Sequence, residues 1–170
     1  MIASARPLKV IAADLAIVKN SGEKMSKGLT LLDTAIQNGI FQTFTKLLEG
    51  SRLEMELRRP KPYTLFAPAD IAFAYLPAET LDSLIRAENA GMLEDLLGFH
   101  DVPGRFLLDR LKELSTIKTA CGADLTISNV EEVRLGGARL LHVDIETQYG
   151  VIHAIDRLLI PVQRSYSATV

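Results

Sequence analysis

The stretch from Gly150 to Pro161, Gly-Val-Ile-His-Ala-Ile-Asp-Arg-Leu-Leu-Ile-Pro, restricts the fold more than any other part of the chain. As a strand it sends Val151, His153, Ile155, Arg157 and Leu159 to one side and Ile152, Ala154, Asp156, Leu158 and Ile160 to the other. Both sets are mostly apolar, whereas a strand wetted on one face alternates apolar with polar residues. The stretch therefore reads as a strand covered on both faces and central to a sheet, opened by Gly150 and closed by Pro161.

A chain of 170 residues fits one domain and can bury well over half of its unfolded surface, so no disulfide framework is needed to hold it. The single cysteine, Cys121, has no internal partner, and cysteine usage leaves the redox compartment unread. With 19 basic against 21 acidic residues and a pI near 5.9, no global field draws phosphate backbones or anionic lipid. Nucleic acid is not an expected partner. Arg58, Arg59 and Lys61 form a local basic cluster, but Glu54, Glu56 and two prolines flank it, as in a solvated segment.

Residues 1–28 read as an N-terminal extension and linker, 29–162 as the domain and 163–170 as a tail. Val10 to Val18 is apolar but interrupted by Asp14 and far too short to cross a bilayer, so no transmembrane segment is expected. It suits a short amphipathic helix or strand packed on the domain, and Asn20 to Gly28 suits a polar linker. From Thr30, an N-cap, a helix carries Leu31, Leu32, Ala35 and Ile36 and stops at Asn38-Gly39. A second carries Phe41, Phe44, Leu47 and Leu48 to Gly50. Residues 51–59 fit an edge strand or a helical turn equally well.

Thr64 to Ala67 reads as a short buried strand ended by Pro68, with Asp70 capping a helix that carries Phe73 and Leu76. Pro77 begins a helix with Leu81, Leu84 and Ile85 inward, Asn89-Ala90-Gly91 breaks it, and a further helix runs from Met92 to Leu97. Phe106 to Leu114 is a helical or irregular link. Thr116–Ala120, Asp124–Ser128, Glu132–Leu135 and Ala138–Asp144 have strand character, with Gly136-Gly137 as a hairpin turn tolerant of positive φ.

Several of these stretches resemble the signature boxes of the fasciclin-like domain family, in register from about Gly28 to Pro161. Residues 149–161 resemble the second box, Asn-Gly-Val-Ile-His-x-Ile-Asp-x-x-Leu-x-Pro, with Tyr149 in place of Asn. Residues 63–73 resemble the first box, Thr-Val-Phe-Ala-Pro-Thr-Asn-x-Ala-Phe, with Ala69, Asp70 and Ile71 as departures. Gly98 to Gly104 resembles the Tyr-His-Val-Val-Pro-Gly landmark, with Phe99 for Tyr and Asp101 for an apolar residue, and Asp144-Ile145 aligns with the Asp-Ile pair of adhesive members. The resemblance implies an α+β fold of about seven strands in a strand-rich core, short helices packed on one side, the final box strand central, and a helical turn over 51–59. It implies a non-enzymatic module for cell adhesion or for protein or glycan binding, without cofactor. Implied contact residues are Phe99, His100, Asp144 and Ile145, joined by Asp101 and Tyr149, with Phe99, Asp101 and Tyr149 expected on one flat or convex patch. The family setting implies an extracellular, surface or periplasmic location. With Met1 as the native start, no export signal is visible and the expectation becomes cytoplasmic. Homo-oligomerisation stays open.

Chemistry has few candidates. His153 and Asp156 lie three apart on a strand and point to opposite faces, whereas His142 and Asp144 share one. That pair offers two ligands where a metal site needs three or four, so no metal is expected. Cys121 sits at a turn with no Cys-x-x-Cys partner, and no Gly-x-Ser-x-Gly, His-Glu-x-x-His, phosphate-binding loop or dinucleotide fingerprint is present. The alternative reading is a small-molecule or enzymatic domain in which His142, Asp144 and Cys121 converge in a pocket.

Overall fold

The computed structural model describes residues 28–160. The expected amphipathic segment at 10–18, the linker ahead of Gly28 and the tail lie outside the described residues. Three helices lead: α1 (Leu31–Asn38), α2 (Gln42–Leu48) and α3 (Arg52–Leu57). Thr30 opens α1 with a reciprocal capping box, its side chain accepting from the Asp33 N–H while the Asp33 carboxylate accepts from the Thr30 N–H, and Gly39 ends it at φ 80°. Residues 52–57 are helical. Ser51 caps α3 by accepting from Glu54 N–H, and Leu53 and Leu57, one turn apart, are buried.

Strand β1 (Tyr63–Pro68) is followed by α4 (Asp70–Phe73), α5 (Ala78–Leu84), a 3₁₀ turn (Ala87–Asn89), α6 (Ala90–Gly98), β2 (Asp101–Pro103) and α7 (Leu108–Leu111). Asp70 departs from expectation. The residue at the N-cap of α4 is Ala69, without a side-chain bond, and Asp70 instead accepts the Thr43 N–H at 2.7 Å, capping α2 across the fold. Ile85 also departs: it lies beyond the last turn of α5 and is exposed, while Leu84 is buried. Helix α6 starts at Ala90, ahead of the expected Met92, because Gly91 does not break it.

The remaining strands are β3 (Thr116–Lys118), β4 (Asp124–Ser128), β5 (Arg134–Leu135), β6 (Ala138–Glu146) and β7 (Val151–Ile155). They form a seven-stranded sheet in the order β2-β1-β7-β6-β5-β4-β3, antiparallel except for the parallel β1–β7 pair. The fold is thus α+β. Gly136 and Gly137, both at positive φ, make the β5–β6 turn. All five residues of β7 are buried, and its two faces feed two separate cores. Ile152 and Ala154 join Leu65, Ala67 and the helices α1 to α3 in one. Ile155 joins Phe66, Phe99, Val102, Ile117, Leu125, Ile127, Leu135 and Ala138 in the other, to which α7 adds Leu111, whereas Ile145 of β6 belongs to the first. Helices therefore cover mainly one face, and the sheet curls over the other: the Ala120 N–H, just past β3, donates to the Asp101 carbonyl of β2 at 2.7 Å.

Candidate functional site

The two histidines of the signature stretches are struts between backbone groups. His100 has no exposed surface. Its Nδ1–H donates to the Leu96 carbonyl at 2.8 Å and its Nε2 accepts the Leu159 N–H at 2.9 Å, which joins the end of α6 to the segment after β7. His153, equally buried and stacked on Phe66, donates from Nε2 to the Phe106 carbonyl at 2.8 Å and accepts the Asp144 N–H on Nδ1 at 3.2 Å. Each ring must be neutral to fill both roles. Burial lowers both pKa values, that of His100 to about 4, against opposing pulls from their carbonyl partners.

His153 explains the backbone of the Asp-Ile pair. His142 pairs with Ala154 and Ile145 with Ile152, so Val143 and Asp144 together stand opposite His153 in a bulge. Asp144 sits at φ 56°, a left-handed conformation that Asp tolerates better than most residues, and its N–H goes to the ring instead of to the ladder. Its Oδ1 accepts the Leu108 N–H at 2.7 Å at the start of α7. With His153 neutral, the 3.9 Å approach of the Asp144 carboxylate to Nδ1 is not an ion pair. The Asp144 side chain remains 38% exposed. Along the same β6–β7 hairpin lie Glu146, ion-paired to Arg105, and Tyr149, half-buried in the turn.

The expected patch of Phe99, Asp101 and Tyr149 does not form. Phe99 belongs to the second core, Asp101 is 1% exposed, and His100 and Ile145 are buried too. The loss of the landmark hydroxyl at Phe99 suits this placement, since a buried phenol needs a partner. Of the six expected contact residues, only Asp144 and Tyr149 present side chains to solvent.

His142, Asp144 and Cys121 do not converge either. The bulge breaks the alternation that would align the first two, and Asp144 turns to Leu108. Cys121, within 3.2 Å of the Thr119 hydroxyl, lines a cavity of about 720 Å³ that includes neither of the others. That cavity lies between α3, α6 and the β2 edge, and four carboxylates line it: Glu56, Glu94, Asp95 and Asp101. Burial first, and then Glu56, pushes the Asp101 carboxyl up to about 7, with a weaker opposing pull from the Val102 N–H. Burial, and then its hydrogen bond to Glu56, pushes Tyr63 up to about 12. Sequence reasoning missed this cluster, because Glu56, Glu94 and Asp101 belong to three separate elements. Among the described residues no group of three or more His, Cys, Asp or Glu side chains is arranged to hold a metal ion.

The fasciclin domain model matches residues 39–161. An uncharacterized Synechocystis protein is 32% identical over 130 residues, covering 76% of this chain and 96% of its own. Human periostin is 34% identical over 128 residues, 74% of this chain but 15% of its own. A cell surface glycolipoprotein of Mycobacterium bovis is 33% identical over 133 residues, 75% of this chain and 58% of its own. The solved FAS1 domain pair of the insect cell adhesion molecule fasciclin I superposes with a TM-score of 0.69 at 16% identity, over 78% of this chain and 51% of that one. At that identity the superposition speaks for the fold alone. The match over residues 39–161, together with these relatives, shows that the chain belongs to the fasciclin domain family.

Proposed function

We propose that the protein is a non-enzymatic binding module of the cell surface that contacts a protein or glycan partner through the β6–β7 hairpin. The observation that carries this reading is the bulge at Asp144. The Leu108 N–H engages one carboxylate oxygen, and the side chain is still 38% exposed on a backbone that the His153 strut holds rigid. A charge presented from a fixed position loses little conformational entropy on binding. Tyr149 in the adjoining turn adds an aromatic contact of the type enriched where interfaces are strongest. Ile145 acts beneath them as core, not as contact. Kinship to a cell surface glycolipoprotein supports the location.

The test is capture of partners from envelope and extracellular fractions of the source cells, and from a glycan array, by wild type and by an Asp144→Asn, Tyr149→Ala double variant. Asparagine keeps the acceptor for Leu108 N–H, so the thermal melt should stay close to wild type. Loss of capture by about tenfold or more is the expected result. Equal capture by both proteins, or none by wild type, overturns the assignment.

A further inference from the structure

The cavity beside β2 has a property that the domain's packing does not account for. Asp101 is among the residues that line it, buried to 1% exposure, and its Oδ1 has no hydrogen-bond partner among the described residues. The side chain's direction follows from strand alternation. Val102 points into the second core, so Asp101 points to the opposite side, toward α3 and α6. Native structures rarely leave a buried acceptor unmet without a purpose.

The Val102 N–H acts on the carboxyl, but among the described residues no donor reaches Oδ1. The Glu56 carboxylate is engaged by the Tyr63 hydroxyl at 2.9 Å and by Arg59 at 3.0 Å, and Glu94 accepts the Arg52 N–H at 2.8 Å. The lining carries Glu56, Glu94, Asp95 and Asp101 against Arg52 as its only cationic side chain. Leu53, Pro103, Ala120 and Cys121 add apolar wall. A space of about 720 Å³ is of the size that takes a small organic ligand.

We infer that this cavity binds an organic cation, an alkylammonium or guanidinium group that donates to the Asp101 carboxylate while its alkyl stem lies against Leu53 and Pro103. An anion would meet four carboxylates, a neutral donor would gain no charge attraction, and the carboxylates are not grouped to enclose a metal ion. The cation is either a free polyamine or the side chain of a Lys or Arg on a partner. The inference stands apart from the hairpin reading, since it uses none of Asp144, Glu146 or Tyr149. Its pH dependence follows from the groups that line the cavity with Asp101, which are Glu56, Tyr63, Glu94, Asp95, Arg52 and Cys121. Near pH 7 the raised Asp101 carboxyl is partly protonated, so a bound cation expels a proton.

Isothermal titration calorimetry at pH 8 with agmatine, spermidine and N-acetyl-arginine amide tests this on wild type, Asp101→Asn, Glu94→Gln and Asp109→Asn. Wild type should bind at least one of the three. Tighter binding of agmatine or spermidine assigns a free amine, and tighter binding of the blocked arginine assigns a side chain. Asp101→Asn, checked by thermal melt, should weaken binding by about tenfold or more, since a charge-assisted hydrogen bond is lost. Glu94→Gln, which keeps the acceptor for Arg52, should weaken it less, and Asp109→Asn, on the exposed face of α7, should leave it unchanged. At pH 7, titrations in phosphate and in Tris should differ by the heat of the released proton. No binding by wild type at millimolar ligand, equal affinity in Asp101→Asn, or an equal loss in Asp109→Asn overturns the inference.

Discussion

Gly150 holds the turn between β6 and β7 against the start of β1. A Cβ there would lie 2.1 Å from the Tyr63 carbonyl oxygen, a backbone atom that cannot swing aside. Gly150→Ala should therefore cost about 3 kcal/mol or more, measured by urea unfolding. The buried titratable groups set a second expectation. The unfolded chain protonates His100 near pH 6.5, while the native ring resists protonation until about 4, so its contribution to stability falls as pH drops below 6.5. His153 acts in the same direction. Asp101 acts in the opposite one: raised from 3.8 to about 7, its contribution is full below 3.8 and is lost as pH rises through 7. Between pH 4 and 6.5 Asp101 and His100 nearly cancel, and the lowered pKa of His153 adds a loss of stability as pH falls. Asp101→Asn should thus gain up to about 4 kcal/mol over wild type above pH 8 and become steeper in its loss of stability below pH 6.5. Denaturant titrations at pH 4, 6 and 8 check both arms.

Elements in this chain are capped locally and from a distance, and only the local caps could be read beforehand. Thr30 and Asp33 cap the helix to which they belong, and Gly39 ends it, so residues 31–38 were legible from spacing. Asp70 looked like the cap of its own helix, yet its carboxylate serves Thr43, brought alongside by packing. Asp70→Ala should cost about 1 to 2 kcal/mol and Asp70→Asn much less, with thermal unfolding as the measure. Residues 51–59 satisfied two periods at once, because Leu53, Met55 and Leu57 alternate while Leu53 and Leu57 are also one turn apart. Burial against the neighbouring helices decided for the helix, and Met55 was left exposed. Strand β4 was legible throughout because its burial alternates residue by residue. The bulge in β6 was not, since its cause is a histidine on the next strand. For that element, Asp144→Asn should melt close to wild type, while Asp144→Ala should lose about 1 kcal/mol or more with the bond to Leu108 N–H.

Across the whole molecule, two cores share one wall. Strands β1 and β7 contribute alternate residues to both, Leu65 and Ile152 to one and Phe66 and Ile155 to the other, and they pair in parallel although they come from opposite ends of the domain. Neither core closes until β7 is in place. A chain ended at residue 148 should therefore lack a cooperative unfolding transition and show collapsed amide dispersion in its NMR spectrum. The sequence by itself determined the central strand with its two buried faces, although that strand ends at Ile155, short of the expected Pro161, together with both ends of α1, the α+β class and the kinship of the boxes. The strand and the helix ends rest on periodicity, capping chemistry and turn residues, which act over a few neighbouring positions, and the fold class rests on the resemblance of the boxes. Only the tertiary structure decided that Phe99, His100, Asp101 and Ile145 lie inside, that Asp144 stands on a bulge held by His153, and that Glu56, Glu94 and Asp101 face one cavity. The reason is geometric. Convergence of side chains from separate elements is set by how α3 and α6 dock on the β2 edge, and no local pattern in the chain encodes that approach.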